Sequence, residues 1–299
     1  MIQMEDLKRH YSEPLVRREI AAYARGRWVG IHCASTSGAG RPLLIRYLWR
    51  RHPLRISSEE DAVKLFQLFE RLGPRAFYGT ANLYARLEAA EDVADLGNVV
   101  GCTPTWDVDN VPEAWKATIA AVKEIVSFLD SEGVRRSVYV KWSGRGCHVH
   151  LHERAFSKEV LRRFSAFDIG YAVVEYVNSR LAERFLRIAG EYAGNALRVD
   201  NEMDVQRLFT CPLSLHKELD RVCVCIAVED LDRFTPEWTA VGAYRHYEGW
   251  NRWEEGEGDS IAAKACAAIG PSPSRPRLRL RRHRPLGEQI DHWTRVKLE

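Results

Sequence analysis

No apolar run in the 299-residue sequence approaches the roughly 20 residues that a membrane-spanning helix needs. The opening Met1-Ile-Gln-Met-Glu-Asp-Leu-Lys8 also lacks the apolar stretch of a secretory signal. A soluble, cytoplasmic protein with no membrane partner is therefore expected. Cysteines stand at positions 33, 102, 147, 211, 223, 225 and 266, an odd count with no Cys-x-x-Cys pair. That pattern argues against a disulfide framework and a zinc ribbon, so buried reduced thiols and no structural zinc are expected. The stretch Ser35-Thr-Ser-Gly-Ala-Gly-Arg-Pro42 is not followed by Gly-Lys-Ser/Thr, which excludes a phosphate loop. Internal repeats are absent, and no acidic residue falls between Asp259 and Glu288.

That acid-free stretch holds Arg275, Arg277, Arg279, Arg281, Arg282 and Arg284. The formal net charge of +3 thus becomes −3 once these six are set aside. Basicity is concentrated in a tail that could follow a phosphate backbone, solubilise an end or reach a partner. A hydrophobic content of 45% is enough for a sizeable core. Composition shifts after Trp253 to Glu and Gly, then to Pro, Ser and Arg, so the expected division is one domain over 1–253 and a linker with Arg-rich tail over 254–299. One short helix fits within 260–268.

Periodicity gives the elements in between. Ser58-Glu-Glu-Asp61 caps an apolar-periodic helix through Val63, Phe66, Phe69 and Leu72, stopped at Gly73-Pro74. Residues 99–109 read as one buried strand ending in Trp106-Asp-Val-Asp109. Pro112 opens a helix carrying Trp115, Ile119, Val122, Val126 and Leu129, and Gly133 ends it. Strands Ser137–Trp142 and Cys147–His152 flank Ser143-Gly-Arg-Gly146. A helical stretch over 157–189 is long enough for two helices, and strands return at 196–200 and 221–228. Strands and helices interleave without a βαβ rhythm, which points to an α+β fold around a mixed sheet.

Asp107 and Asp109 alternate with Val108, so in an extended strand both carboxylates share one face, their Cα atoms about 7 Å apart. Paired carboxylates repel unless a cation lies between them, and hard oxygen donors suit Mg²⁺ or Mn²⁺. Taken alone, the pair also reads as a solvated strand end before a turn at Asn110. Ser143-Gly-Arg-Gly146 is a donor-rich turn suited to phosphate oxygens. His148, His150 and His152 share one strand face but span over roughly 13 Å, too far to bind a single ion together. His148, nearest the turn, is the candidate phosphate contact. Asp200 ends a further apolar strand and is followed by Pro212-Leu-Ser-Leu-His216-Lys217. Ion pairing among Arg198, Asp204 and Arg207 would account for much of this last segment.

In their order along the chain these segments form a specific set: Asp-x-Asp, Ser-Gly-x-Gly-x-His, Val-Asp, then Arg-Leu and Pro-x-Ser-Leu-His. The set resembles the catalytic core of the archaeo-eukaryotic primase superfamily, most of all the small catalytic subunit of archaeal DNA primase. Arg18-Glu-Ile20, Ile45-Arg-Tyr47 and Pro74-Arg-Ala-Phe-Tyr-Gly-Thr-Ala-Asn-Leu-Tyr84 are similar to that family's N-terminal half. The likeness covers roughly residues 10–230.

The resemblance implies a primase-polymerase core, with helices packed on the sheets, that joins NTPs or dNTPs on a single-stranded DNA template. Asp107, Asp109 and Asp200 match the aspartates that hold two divalent ions, Mg²⁺ or Mn²⁺, in such enzymes. Ser143, Arg145, His148, His216 and Lys217, with Arg46, match positions that hold the incoming triphosphate. A large subunit is an optional partner. The chain departs from the pattern in three places. Only five positions separate Ser143 from His148, Thr210 stands where a cationic residue is usual, and no cysteine-rich zinc insertion lies between Asp109 and Ser143. Two alternatives stay open: an end-joining or gap-filling repair polymerase of the same superfamily, and a degenerate nucleic-acid-binding paralogue.

Overall fold

The computed structural model describes residues 2–36, 42–192 and 196–273. The chain begins with α1 (Met4–Ser12) and α2 (Pro14–Ala24), separated at Glu13 because Pro14 supplies no N–H to continue the first helix. Strands β1 (Arg27–Thr36) and β2 (Pro42–Ile45) follow, then α3 (Glu59–Leu68) and β3 (Pro74–Tyr84). The start of α3 is a capping box: Ser58 Oγ accepts from the Asp61 N–H at 3.3 Å, and Asp61 Oδ2 accepts from the Ser58 N–H at 3.0 Å. Gly73, at φ +67°, turns the chain out of the short 3-10 turn that follows.

Next come β4 (Val99–Cys102) and β5 (Thr105–Asp109), where the sequence predicts one strand. Thr103-Pro104 breaks it, and the two halves belong to different sheets. Pro104 has no N–H for a ladder, so the chain switches sheets there. The helix opened by Pro112 runs as a 3-10 turn into α4 (Trp115–Ser131). Strands β6 (Val138–Trp142) and β7 (Cys147–Leu151) lead into α5 (Lys158–Arg163) and α6 (Ala166–Glu191), the two helices that the long helical stretch allowed. Short strands β8 (Arg198–Asp200), β9 (Leu208–Thr210) and β10 (Val224–Ile226) precede α7 (Asp259–Ile269).

The fold is α+β, and the described residues form two five-stranded sheets in which every strand pair is antiparallel. Sheet one runs β2-β1-β3-β4, with β9 also on β3; sheet two runs β10-β6-β7-β5-β8. Helix α2 packs on β1 and β3, while α4 packs on β5 and β7. Trp106 and Val108 are buried in the main core together with Ile119, Val122 and Ile125 of α4. Burying Trp106 and Val108 places the intervening Asp107 on the opposite face.

A buried ion pair ties β1 of sheet one to the turn that follows β7 of sheet two. Arg27 of β1 donates through Nη2 to Glu153 Oε2 at 2.9 Å and to Thr103 Oγ1 at 2.8 Å. Its Nη1 donates to the carbonyls of Thr80 and Ala81. Burial favours the neutral acid, but Arg27 overrides it and holds the Glu153 carboxyl down at about 2.

Residues 254–273 are not a linker, which moves the end of the folded body past the boundary expected at 253. Helix α7 packs on α6, and the Glu257 carboxylate accepts the N–H groups of Arg135, Arg136 and Ser137 at 2.7 to 2.9 Å. Asp259 Oδ1 likewise accepts from the Ser157 N–H at 2.8 Å. The acidic residues that look like linker composition are thus acceptors for loop and helix-end N–H groups. The arginine tail from Arg275 onward lies outside the described residues.

Candidate active site

Strand pairing gathers the acidic residues. In sheet two, β5 lies between β7 and β8, with Asp107 directly opposite His148 on one side and Asp200 on the other. Asp109 is opposite Arg198. Directly opposed residues share a face, as do positions two apart in a strand, so the three carboxylates and His148 lie on one patch.

The two aspartates of β5 differ electrostatically. Asp107 is buried, with Arg207 Nη2 donating to its Oδ2 at 2.8 Å and His148 Nε2 lying 3.4 Å from its Oδ1. Burial raises its pKa, but His148, Arg207 and Arg198 together outweigh that and hold the carboxyl below the ordinary range. Asp109 goes the other way: burial first, then the Asp107 carboxylate, with Asp200 adding, push it up against the opposing pull of His148 and Arg198. Arg198 lies 3.8 Å from Asp109 and 3.9 Å from Asp200, so its guanidinium stands where a bridging cation would. Arg207 pairs with Glu202 as well as Asp107. The expected pairing of Arg198 and Arg207 with Asp204 is therefore not what forms. Asp204 Oδ1 accepts the Gln206 N–H instead, because the short segment after β8 turns its carboxylate onto its own backbone.

Among the described residues no three Asp, Glu, His or Cys side chains are gathered at metal-binding distances. The donor chemistry nevertheless fits a hard divalent cation. Three carboxylates share one face, Asp109 is electrostatically undersatisfied, and the cation between Asp109 and Asp200, Arg198, is an exposed side chain that can turn aside.

The turn after β6 is wedged beside this patch. A Cβ on Gly144, at φ +124°, would meet His216 Cδ2 at 2.7 Å, and one on Gly146 would meet Asp109 Oδ1 and the Val108 carbonyl oxygen at 2.8 Å. Only glycine lets the turn pass between His216 and Asp109. Within it the Ser143 N–H donates to the Gly146 carbonyl at 3.0 Å, while Arg145 pairs with Glu218 at 3.2 Å.

His216 is locked in one tautomer. Its Nδ1 accepts the N–H groups of Glu218 and Leu219, both at 3.0 Å, leaving the proton on Nε2. Burial, reinforced by Arg145, pushes its pKa down to about 4, so at neutral pH the ring is an uncharged donor. The segment before it is held by α1: His10 Nε2 donates to the carbonyl of Leu213, a buried residue at φ +60°, and Tyr11 Oη accepts the Leu215 N–H. Nothing in the sequence motifs signals this support.

A cleft of about 480 Å³ lies alongside, lined by His32, Arg46, Tyr78, Gln206, Arg207 and Lys217 among others. Arg46 reaches across it to Gln206 at 3.3 Å, its guanidinium stacked 4.9 Å over Trp28. The structure thus brings Arg46 and Lys217 together in one cleft, and sets Asp107, Asp109, Asp200, His148, His216 and the Ser143 turn beside one another. His150 and His152 stand apart from the carboxylates: His150 is stacked on Tyr139 at 4.6 Å, and His152 Nε2 lies 2.8 Å from Asn251 Oδ1. Sequence reasoning missed His32, Tyr78 and Gln206 as cleft residues and Arg207 as the partner of Asp107. At Thr210, where a cationic side chain is expected, the backbone carbonyl accepts from buried Lys141 at 2.7 Å.

No family model matches the chain and no curated protein matches it. Among solved structures, the polymerase domain of Mycobacterium tuberculosis Ligase D, in complex with DNA, is similar over 90% of each chain at a TM-score of 0.55 and 14% identity. The chain thus shares the fold of that domain.

Proposed function

We propose that this chain is a template-directed nucleotidyltransferase, a DNA primase or primase-polymerase that joins NTPs or dNTPs on single-stranded DNA. The observation that carries the reading is the shared face of Asp107, Asp109 and Asp200 next to a cleft lined by Arg46, Arg207 and Lys217. A face of carboxylates beside guanidinium and ammonium groups suits a triphosphate delivered with its divalent ions. Mg²⁺ or Mn²⁺ held by the three aspartates would offset the triphosphate charge and assist attack by a 3′-hydroxyl.

The chain's own groups then bind and orient. Arg46 and Lys217 attract the phosphate oxygens, and the Ser143 turn offers its donors beside Asp109. His216 donates through Nε2 without adding charge. His148 and Arg207 hold the Asp107 carboxylate ionised and in place. Base choice comes from pairing with the template.

The similarity to a Ligase D polymerase domain favours a second reading, gap filling or end joining from a primed end. Labelled rNTPs or dNTPs, offered with Mg²⁺ or Mn²⁺ on single-stranded template with and without primer, separate the two. Dinucleotides without primer support priming, and extension only from a primed end supports repair. No incorporation under any condition contradicts both and leaves a non-catalytic binder.

A further inference from the structure

Between β2 and α3 the chain forms a small hairpin, of which only Arg46 at the base enters the proposed triphosphate chemistry. Residues 46–55 hold four arginines and no acidic residue. Tyr47 and Pro53 form a bridge, and the Leu48 N–H donates to the His52 carbonyl at 2.8 Å. Arg51 closes the turn at φ +60°, a conformation that costs a non-glycine residue on the order of 1 kcal/mol or more.

The root of the hairpin is fixed. Trp28 Nε1 donates to the Arg46 carbonyl at 2.8 Å, the Leu54 N–H donates to the same carbonyl, and the Val29 N–H donates to Leu54. Tyr47 packs 5.1 Å from Trp28 on a small core of Trp28, Tyr84, Leu87 and Val93, separate from the main one. On this rigid root the tip carries Trp49 at 81% exposure, with Arg51 and Arg55 also exposed. A large aromatic ring with most of its surface in water, on a well-anchored turn, offers an open face to a ligand. Its surroundings are cationic, and Arg46 at its base lines the nucleotide cleft.

We propose that the Arg46–Leu54 hairpin is a stacking platform for one unpaired strand of nucleic acid. Trp49 takes a base face, and Arg51 and Arg55 lie along the phosphates without reading sequence. The proposal deepens the template-directed reading by assigning a surface to the single strand next to the cleft.

The test uses the full chain with Trp49→Ala, Trp49→Phe and Arg51→Ala, and needs neither divalent ion nor nucleotide. Anisotropy of a labelled oligothymidylate of about 20 nucleotides is compared with a blunt duplex of the same length. Trp49→Ala should weaken single-strand binding about five- to a hundredfold and duplex binding far less, with Trp49→Phe keeping most of the affinity. Arg51→Ala should flatten the slope of log K against log salt by about one. Wild-type affinity in Trp49→Ala, or equal losses for single strand and duplex, would overturn the platform. Asp109→Ala separates the two readings: it must keep the Trp49-dependent binding even where incorporation is lost. An inactive wild type that still shows that binding counts against the polymerase reading alone.

Discussion

Asp200 is the direct cross-strand partner of Asp107, so the third carboxylate reaches the other two through the pairing of β8 with β5. A site assembled this way depends on the short β8 strand as much as on the acids themselves.

Asp109 gives the clearest separation of stability from activity. Its carboxyl is raised by burial and by Asp107, so the folded state holds that proton more tightly than the unfolded chain does. Relative stability is therefore fully present at low pH and lost as pH rises through the folded value. Asp109→Asn should melt slightly higher than wild type at pH 7, melt alike near pH 3, and lose nucleotide incorporation. Millimolar Mn²⁺ should raise the melting temperature of wild type and not of the variant. Calorimetry at both pH values, with and without the ion, checks this. A variant that melts lower at pH 7 contradicts the crowding argument.

His216→Ala should raise KM for the nucleotide about tenfold, the value of one hydrogen bond to a charged group, with kcat and template affinity changing little. With its pKa down at about 4, this ring stays neutral and should add no pH dependence to KM between about pH 5 and 8. A KM that falls as pH drops through 6 in wild type but not in His216→Ala would show that the ring charges there.

Glu153→Gln leaves Arg27 buried without its counter-charge and should destabilise the protein by about 3 kcal/mol at neutral pH. The folded Glu153 titrates at about 2, below the ordinary glutamate range. Its contribution is thus present above about pH 4.5 and disappears as pH falls toward 2. Denaturant titrations of wild type and variant should therefore differ widely at pH 7 and converge in acid.

Motifs made the site legible where periodicity and turn chemistry are local. The Asp107–Asp109 alternation, the Ser143 turn and Pro212–His216 could be read from the sequence, as could the helices capped by Ser58 and ended by Gly133. Contacts set by sheet pairing were not legible. Arg207 reaches Asp107 only because the segment 201–207 crosses from one sheet to the other. The break at Pro104 hides inside an apolar run, and an acidic stretch after Trp253 reads as linker until its N–H partners on other elements are known. His10 and Tyr11 support the His216 segment from a helix near the start of the chain, which no local pattern reveals.

The most direct measurement is incorporation of labelled nucleotide on a single-stranded DNA template with Mg²⁺ or Mn²⁺, using wild type and the single variants Asp107→Ala, Asp109→Ala and Asp200→Ala. A shared carboxylate site predicts template-dependent product in wild type and loss by at least a hundredfold in each variant, Asp200→Ala included. Asp200→Ala with wild-type activity, or product that does not depend on the template, would contradict it.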